Sequence, residues 1–251
     1  MRRVAIVTGS TGGIGREFVR RISEDEDIDE IWAVGRNKEK LDKLASEYPK
    51  VVPVEADLTK GIGEISGKLK SENPEVKILV NNAGVGYLGY FEDMEQDNIE
   101  SLCTLNCTVP ALLVSESLPY MKEGDGIINI SSSSSLQPNP YLTMYSASKI
   151  FVKNFSRALG VELKKRGIKV TCSCPGWVDT GMLPKEKNGK KIHYTGMISA
   201  EKVVSKALAD LRRGRELSLP SFFAKYFRLY SKYMPTKLVM GQWAWIMRKY
   251  V

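Results

Sequence analysis

The chain has 251 residues, 43% hydrophobic and 26% charged, which fits an ordinary globular α/β protein, and no apolar run approaches the ~18 residues that a membrane-spanning helix needs. Its net charge is +8, but six of those charges (Lys225, Arg228, Lys232, Lys237, Arg248 and Lys249) lie in residues 222–251, which hold no acid; the near-neutral body lacks the distributed basic surface of a nucleic-acid binder. Cys103, Cys107, Cys172 and Cys174 form no CxxC pair and His193 is the single histidine, so structural thiols are expected and a zinc centre is not.

The N-terminus enters a strand-like run, Val4-Ala5-Ile6-Val7, without a signal-type segment, and a cytoplasmic protein is expected. Strands are predicted at Arg3–Thr8, Glu30–Val34, Val51–Glu55, Lys77–Val80, Gly126–Ser131, Lys169–Ser173 and Glu216–Leu219. Between them, helices are predicted at Gly13–Ser23, Lys38–Tyr48, Ile62–Ser71, Gln96–Met121, Thr143–Arg166 and Ala200–Arg213. Strands rich in Val and Ile, without polar alternation, are buried on both faces and belong to a parallel sheet. Their alternation with helices predicts one doubly wound, Rossmann-type α/β domain over residues 1–221 with seven parallel strands. Residues 222–251 extend it as a helical basic tail, and the long irregular piece at 180–198 has the length of a lid.

The turn after the first strand reads Thr8-Gly9-Ser10-Thr11-Gly12-Gly13-Ile14-Gly15 and opens directly into a helix. Glycines let the backbone turn sharply and approach a pyrophosphate, and a helix N-terminus aims free N–H groups at an anion. The TGxxxGxG spacing, Asn81-Asn82-Ala83-Gly84 after the fourth strand, Tyr145-x-x-x-Lys149 and Pro175-Gly176 after the sixth together resemble the short-chain dehydrogenase/reductase family, in the family's order over residues 4 to 180.

The second strand ends Ala33-Val34-Gly35-Arg36, with glycine and arginine where NAD enzymes keep an acid for the ribose 2′-hydroxyl. A guanidinium pairs with a 2′-phosphate that a carboxylate would repel, so NADP(H) is the expected cofactor, with Ser10 adding a hydroxyl to the same phosphate. The resemblance implies cofactor contacts from Gly9, Thr11, Gly13, Ile14, Gly15, Leu58, Pro175, Gly176 and Val178. It also implies that Asp57 meets the adenine amino group and that Asn81, Ala83 and Gly84 form the cofactor's floor. Thr180 falls where the family bonds the carboxamide. Without the resemblance, Asp57 reads as a strand-end cap.

A free tyrosine has a pKa of about 10 and is a poor acid or base at neutral pH. On a helix beginning at Thr143, Tyr145 and Lys149 lie one turn apart, and the ammonium, with the positive charge of an oxidised nicotinamide, is expected to draw the phenol towards working pH. Lys149 is further expected to hold the cofactor ribose. A second donor beside the phenol would stabilise the oxyanion that develops as a carbonyl accepts hydride. Five consecutive serines, Ser131 to Ser135, offer it. Family spacing selects Ser132, the first residue beyond the fifth strand's carboxyl end, with Ser134 as the runner-up. The resemblance also makes Asn106 the asparagine that distorts its helix and anchors a water near Lys149.

The family's substrate wall falls here on Gln137, Tyr141, Leu142, Trp177, Met182, Leu183, His193 and Tyr194. These large apolar and aromatic residues predict a bulky hydrophobic ketone or secondary alcohol. The segment around Tyr145 is similar to the hydroxysteroid dehydrogenase and long-chain 3-oxoacyl reductase branches, so an NADP(H)-dependent oxidoreductase acting on CH–OH groups is expected. A 3-oxoacyl thioester reductase and a non-catalytic nucleotide-binding or scaffolding protein stand as alternatives. Family habit implies a homodimer or homotetramer. In the tail, Phe223, Tyr226, Phe227, Tyr230, Tyr233 and Met234 repeat at helical spacing up to Pro235, interleaved with Lys225, Arg228 and Lys232. Three roles stay open for it: packing on the body or a sister subunit, covering the substrate opening, or peripheral contact with an anionic membrane surface.

Overall fold

The structure, a computed structural model, describes residues 1–181, 186–187, 190–191, 194–248 and 250–251. Seven strands build the main sheet: β1 (Arg3–Thr8), β2 (Glu30–Gly35), β3 (Val51–Glu55), β4 (Glu75–Asn81), β5 (Gly126–Ile130), β6 (Lys169–Ser173) and β9 (Leu217–Ser218). Their order is β3-β2-β1-β4-β5-β6-β9, and every pairing is parallel. The order reverses between β1 and β4, which opens a crevice at the strands' carboxyl ends there.

Both faces are covered, which is why the strands carry apolar residues without alternation. On one face α1 (Gly13–Ser23), α2 (Lys38–Glu47) and α7 (Ala200–Arg212) bury Phe18, Val19, Leu41, Val204 and Ala207 against Val7, Ile31 and Ile128. On the other, α3 (Gly63–Glu72) and the helix from Gln96 bury Ile65, Leu69, Leu105, Val109 and Leu113 against Ile6, Trp32, Leu79 and Ile127. Each fully buried side chain of this kind contributes about 1.5–3 kcal/mol relative to exposure.

The helix predicted over Gln96–Met121 is not regular. Segment α4 (Gln96–Cys103) passes through a π-helical turn at Thr104–Thr108 into α5 (Val109–Ser117) and a 3₁₀ turn at Leu118–Tyr120. Its 25 residues would suffice to cross a bilayer by length and composition, yet Leu102, Leu105, Val109, Leu113 and Val114 are buried within the fold. Helix α6 (Thr143–Glu162) runs on as 3₁₀ to Arg166 and stops at Gly167, whose φ of 68° is left-handed. All four cysteines are free thiols, Cys172 and Cys174 buried.

Beyond β6 the chain leaves the sheet and returns at an isolated parallel bridge between Val178 and Ile198. Inside that excursion β7 (Glu186–Lys187) pairs antiparallel with β8 (Lys190–Lys191). The tail forms α8 (Phe222–Tyr233) and α9 (Thr236–Met247) on either side of Pro235. Ser221 caps α8 through the Ala224 N–H at 3.0 Å. The tail packs on the body: Ala224 joins Val152, Cys172, Cys174 and Leu219, Trp243 Nε1 donates to the Pro140 carbonyl at 3.0 Å, and the Tyr250 ring stacks on Tyr194 with centroids 6.2 Å apart.

Candidate active site

The crevice floor begins with the glycine-rich turn. Gly9 has a φ of 63°, and a Cβ at Gly15 would lie 2.1 Å from the Gly9 carbonyl oxygen; the turn closes so tightly that position 15 admits no side chain. Helix α1 then starts without a side-chain cap at Gly12 and with no acid in its first turn. Its leading N–H groups therefore suit a bound anion such as a dinucleotide pyrophosphate. Thr180 reaches this turn: a Cβ on Gly13 would lie 2.9 Å from its Cγ2.

Two residues that the motifs did not single out hold the turn in place. Thr8 Oγ1 accepts from the N–H groups of Asn82 at 2.9 Å and Ala83 at 3.0 Å. Asn82 Nδ2 donates to the carbonyls of Thr8 at 2.9 Å and Gly9 at 3.2 Å. The second asparagine of the NNAG run was the available signal. Asn81, expected on the cofactor floor, instead turns inward: its Nδ2 donates to Asn129 Oδ1 at 2.8 Å and to the Pro110 carbonyl at 3.4 Å. Leu58 is likewise buried in the core, so only its backbone is available to a ligand. Val178 is buried, and the Pro175 carbonyl accepts from the Ser133 N–H at 2.7 Å.

Arg36 is exposed just beyond β2. A Cβ on neighbouring Gly35 would come within 3.1 Å of Thr11 Cγ2, so an acid there would crowd the turn. Ser10 departs from expectation. Its hydroxyl is fully buried and donates to the Val34 carbonyl at 3.1 Å, which commits it to the β2 edge and away from a phosphate. Asp57 lies two residues past β3 and accepts from Thr59 N–H at 3.1 Å and Thr59 Oγ1 at 2.7 Å. Those bonds, followed by Lys60 and Arg36, hold its carboxyl below the usual range.

The five serines separate by what each hydroxyl does. Ser131 donates to the Lys149 carbonyl at 2.7 Å. Ser135 donates to the Ser132 carbonyl at 2.6 Å and touches Cys174 Sγ at 3.6 Å. Ser133 Oγ lies 3.9 Å from where a Cβ on Gly176 would stand. Ser134 is buried in the 3₁₀ turn Ser133–Leu136. Ser132 Oγ caps that turn, accepting from the Ser134 N–H at 3.1 Å, and it is the serine that pulls the Tyr145 phenol's pKa down against burial.

Lys149 is 6% exposed, and its Nζ donates to the Ile130 carbonyl at 3.0 Å. That ammonium lies 5.6 Å from the centre of the Tyr145 ring, which packs against Gly86. Burial pushes the phenol above its ordinary value; the opposing pull comes from the Ser132 hydrogen bond. The expected acidification by Lys149 is therefore not what the geometry of the chain alone produces. Burial also lowers Lys149 to about 8, since both the ammonium and the phenolate lose solvation.

Asn106 sits in the π turn, 1% exposed. Its Oδ1 accepts from Val85 N–H at 3.0 Å, while Nδ2 donates to the Val85 carbonyl at 2.9 Å and Ser148 Oγ at 3.0 Å. The side chain thus clamps the loop after β4 onto α6. A Cβ on Gly84 would fall 2.8 Å from Asn106 Oδ1 and 3.4 Å from Lys149 Nζ, so these three groups meet at one point.

On the rim, Tyr141 takes a left-handed φ of 66°, a costly backbone for a bulky residue and a mark of functional sites. Its ring meets Tyr90 edge-on at 5.2 Å. Trp177 packs on Tyr194 at 4.9 Å, and Leu142 is buried at the start of α6. Gln137 does not join them. It is 5% exposed, donates to Asn139 Oδ1 at 2.8 Å, and borders a ~50 Å³ cavity with Ser231, Thr236 and Val239 of the tail. Met182, Leu183 and His193, and Lys249 of the tail, lie outside the described residues.

Comparison with known proteins follows the same lines. The family description "short chain dehydrogenase" matches residues 3–191. The very-long-chain 3-oxoacyl-CoA reductase of Anas platyrhynchos is 35% identical over 71% of this chain and 60% of its own. The human protein named inactive hydroxysteroid dehydrogenase-like protein 1 is 33% identical over 72% of this chain and 57% of its own. The chain thus spans about three-fifths of the length of these curated relatives. Among solved structures, the short-chain dehydrogenase from Sphingobium yanoikuyae in complex with NADPH superposes with a TM-score of 0.78 at 26% identity, covering 92% of this chain and 93% of that one.

Proposed function

The chain belongs to the short-chain dehydrogenase family, and within it we propose an NADP(H)-dependent oxidoreductase that interconverts a ketone and a secondary alcohol on a bulky hydrophobic substrate. The observation that carries this reading is Tyr145 with the buried Lys149 ammonium 5.6 Å from its ring centre, and Ser132, just past the carboxyl end of β5, where it pulls the same phenol's pKa down. The uncapped α1 terminus and glycine turn would hold the pyrophosphate, and Arg36 the 2′-phosphate. A nicotinamide bound there would supply or take up the hydride.

In the direction of reduction, Ser132 donates a hydrogen bond to the substrate carbonyl and Tyr145 gives its phenol proton to the same oxygen. A phenol kept protonated by burial is suited to that acid role. Oxidation reverses the step, with Tyr145 accepting the alcohol proton. The Lys149 ammonium, 5.6 Å from the Tyr145 ring centre, would steady the phenolate left after the proton is given, and the spent proton would be restored from solvent. The apolar and aromatic surface of Tyr141, Leu142, Trp177 and Tyr194 supports a hydrophobic substrate.

NADPH oxidation followed with a panel of steroids, 3-oxoacyl thioesters and simple ketones tests the reading. Turnover with bulky ketones that Tyr145→Phe abolishes supports it; turnover confined to 3-oxoacyl thioesters selects that reductase instead. A relative named inactive favours a second reading, a nucleotide-binding protein without turnover. NADPH binding with no turnover across the whole panel would select it.

A further inference from the structure

Helix α8 is turned inside out relative to an ordinary surface helix. Phe222, Tyr226, Leu229 and Tyr233 follow i, i+4, i+7, i+11 and so share one face, and they are 80%, 51%, 59% and 71% exposed. The opposite face holds Ala224, which is 1% exposed. A surface helix normally shows water its polar face, and a contiguous outward apolar stripe marks a contact surface. Helix α9 also exposes apolar side chains, Leu238, Trp245 and Ile246 at 43%, 76% and 44%.

Charge says what covers it. Lys225, Arg228 and Lys232 run along the flank of the stripe at i, i+3, i+7, all exposed, and Lys232 Nζ lies 5.3 Å over the Tyr233 ring. Residues 222–251 contain no carboxylate side chain, so a second copy applied through the same face would set like charge on like charge. An anionic surface meets no such penalty. Beside the stripe, between α8 and the β9 edge, a groove of ~590 Å³ is lined by Leu217, Leu219 and Leu229, by the three flank cations with Lys206 and Arg215, and by one carboxylate, Glu216, which is paired with Arg157. That combination suits a phosphate headgroup together with the first carbons of its chain. Tyrosine and tryptophan, each apolar with one polar tip, favour the boundary between headgroups and acyl chains.

We propose that the tail docks the protein on an anionic phospholipid bilayer, with the Phe222–Tyr226–Leu229–Tyr233 stripe entering the interface and Lys225, Arg228 and Lys232 seating lipid phosphates. The family match ends at Lys191, so the tail lies beyond the segment that match covers. Docking would also place the crevice mouth at the bilayer: Phe223 packs on Gly196, Trp243 on Pro140 and Tyr250 on Tyr194. Resting on the hydrophobic substrate proposed above, that arrangement lets substrate pass from the lipid phase into the crevice.

The test is co-sedimentation of the full chain with neutral phosphatidylcholine vesicles and with vesicles in which about one lipid in three is phosphatidylserine. The chain should pellet with the second kind only, and less as salt rises from about 0.1 M to about 0.5 M. The triple variant Lys225→Glu/Arg228→Glu/Lys232→Glu should lower the partition roughly 100-fold or more, at about fivefold or more per charge. Tyr226→Ser/Leu229→Ser should lower it roughly tenfold or more through lost apolar burial. A chain that stays in solution with anionic vesicles overturns the proposal, as does binding that either variant leaves undiminished. A lipid-free dimer that the aromatic variant splits, without vesicle binding, overturns it in favour of a second copy. NADPH fluorescence titration of each variant reports an intact fold. Wild-type failure in that titration breaks the catalytic reading and leaves the vesicle result standing.

Discussion

The crevice edge of the sheet and the tail break the ordinary rule of burial in opposite directions. At the crevice, Asn106, Ser132 and Lys149 are 1%, 8% and 6% exposed, polar groups in the place of apolar ones. Each is held by partners: Asn106 by Val85 and Ser148, Ser132 by Ser134 and Tyr145, Lys149 by the Ile130 carbonyl. On the tail, aromatic side chains stand where polar ones belong, and the α8 stripe stays half or more exposed. Buried polar groups cost stability unless bonded, and exposed apolar stripes leave burial energy unused. A chain that keeps both features uses them. The first set is preorganised within the molecule; the second awaits something outside it.

The comparison breaks most directly at Tyr145. Replacing it with phenylalanine keeps the ring against Gly86 and removes the one group able to exchange a proton. Turnover should fall by roughly 10³–10⁴, the upper range for a lost acid–base group, while the NADPH dissociation constant stays within a few-fold. Stopped assays and fluorescence titration read the two quantities separately. A Tyr145→Phe protein with most of its turnover would remove the chemistry from this crevice altogether.

Ser132→Ala tests the same edge with a smaller step. It deletes the hydroxyl that bonds the phenol and frees the Ser134 N–H that it caps. Losing a donor to a developing oxyanion costs about 10²–10³ in kcat, with an added loss of about 1 kcal/mol from the missing cap. Ser134→Ala provides the contrast, because its hydroxyl meets neither the phenol nor the cap. Steady-state kinetics should show it nearly unchanged, and equal losses in the two variants would mean that the wrong serine was chosen.

How far the sequence foretold these two regions differs for a physical reason. Apolar runs such as Val4–Val7 and Ile31–Val34 mark β1 and β2 closely, because a strand buried on both faces is built mainly from apolar residues. Helix α1 was legible from its glycine turn, and the tail's helical spacing up to Pro235 was plain. Hydrogen-bond direction was not. Ser10 was expected on a phosphate and instead bonds Val34; Asn81 was expected on the floor and instead bonds Asn129, while Asn82 holds the turn. Spacing reports which residues approach one another but not how a short polar side chain rotates. Gln137 was misplaced because the tail that covers it comes about a hundred residues later. The π turn at Thr104–Thr108 was legible only through the family's distorting asparagine, since its residues have ordinary helical composition.

Lys149 links geometry to pH. Its folded pKa is lowered to about 8 from 10.5, so the native state binds fewer protons than the unfolded chain between those values, and stability rises with pH through that window. Below about 8 the full penalty of the buried ammonium is present. Lys149→Met should therefore raise the stability of the cofactor-free protein at pH 7 by up to roughly 3 kcal/mol, while abolishing turnover. Urea unfolding at pH 7 and at pH 9.5 checks it: the gap between variant and parent should narrow at the higher pH. A variant less stable at pH 7 would show instead that the bond to Ile130 outweighs desolvation.

The smallest effect concerns the cofactor's far end. Arg36 is an exposed residue at the β2 terminus, and a pairing with phosphate at such a site is screened by salt. Arg36→Ala should weaken NADPH binding about tenfold at low ionic strength, leave NADH binding within twofold, and lose most of its effect at high salt. Adding an acid at position 35 is not the mirror experiment, because a Cβ on Gly35 already crowds Thr11 and would disturb both cofactors alike. Titrations of NADPH and NADH against parent and Arg36→Ala separate the cases. Equal weakening of both cofactors would mean that Arg36 supports the turn itself, whereas tighter binding of NADH than NADPH by the parent would remove the basis for NADP(H) preference.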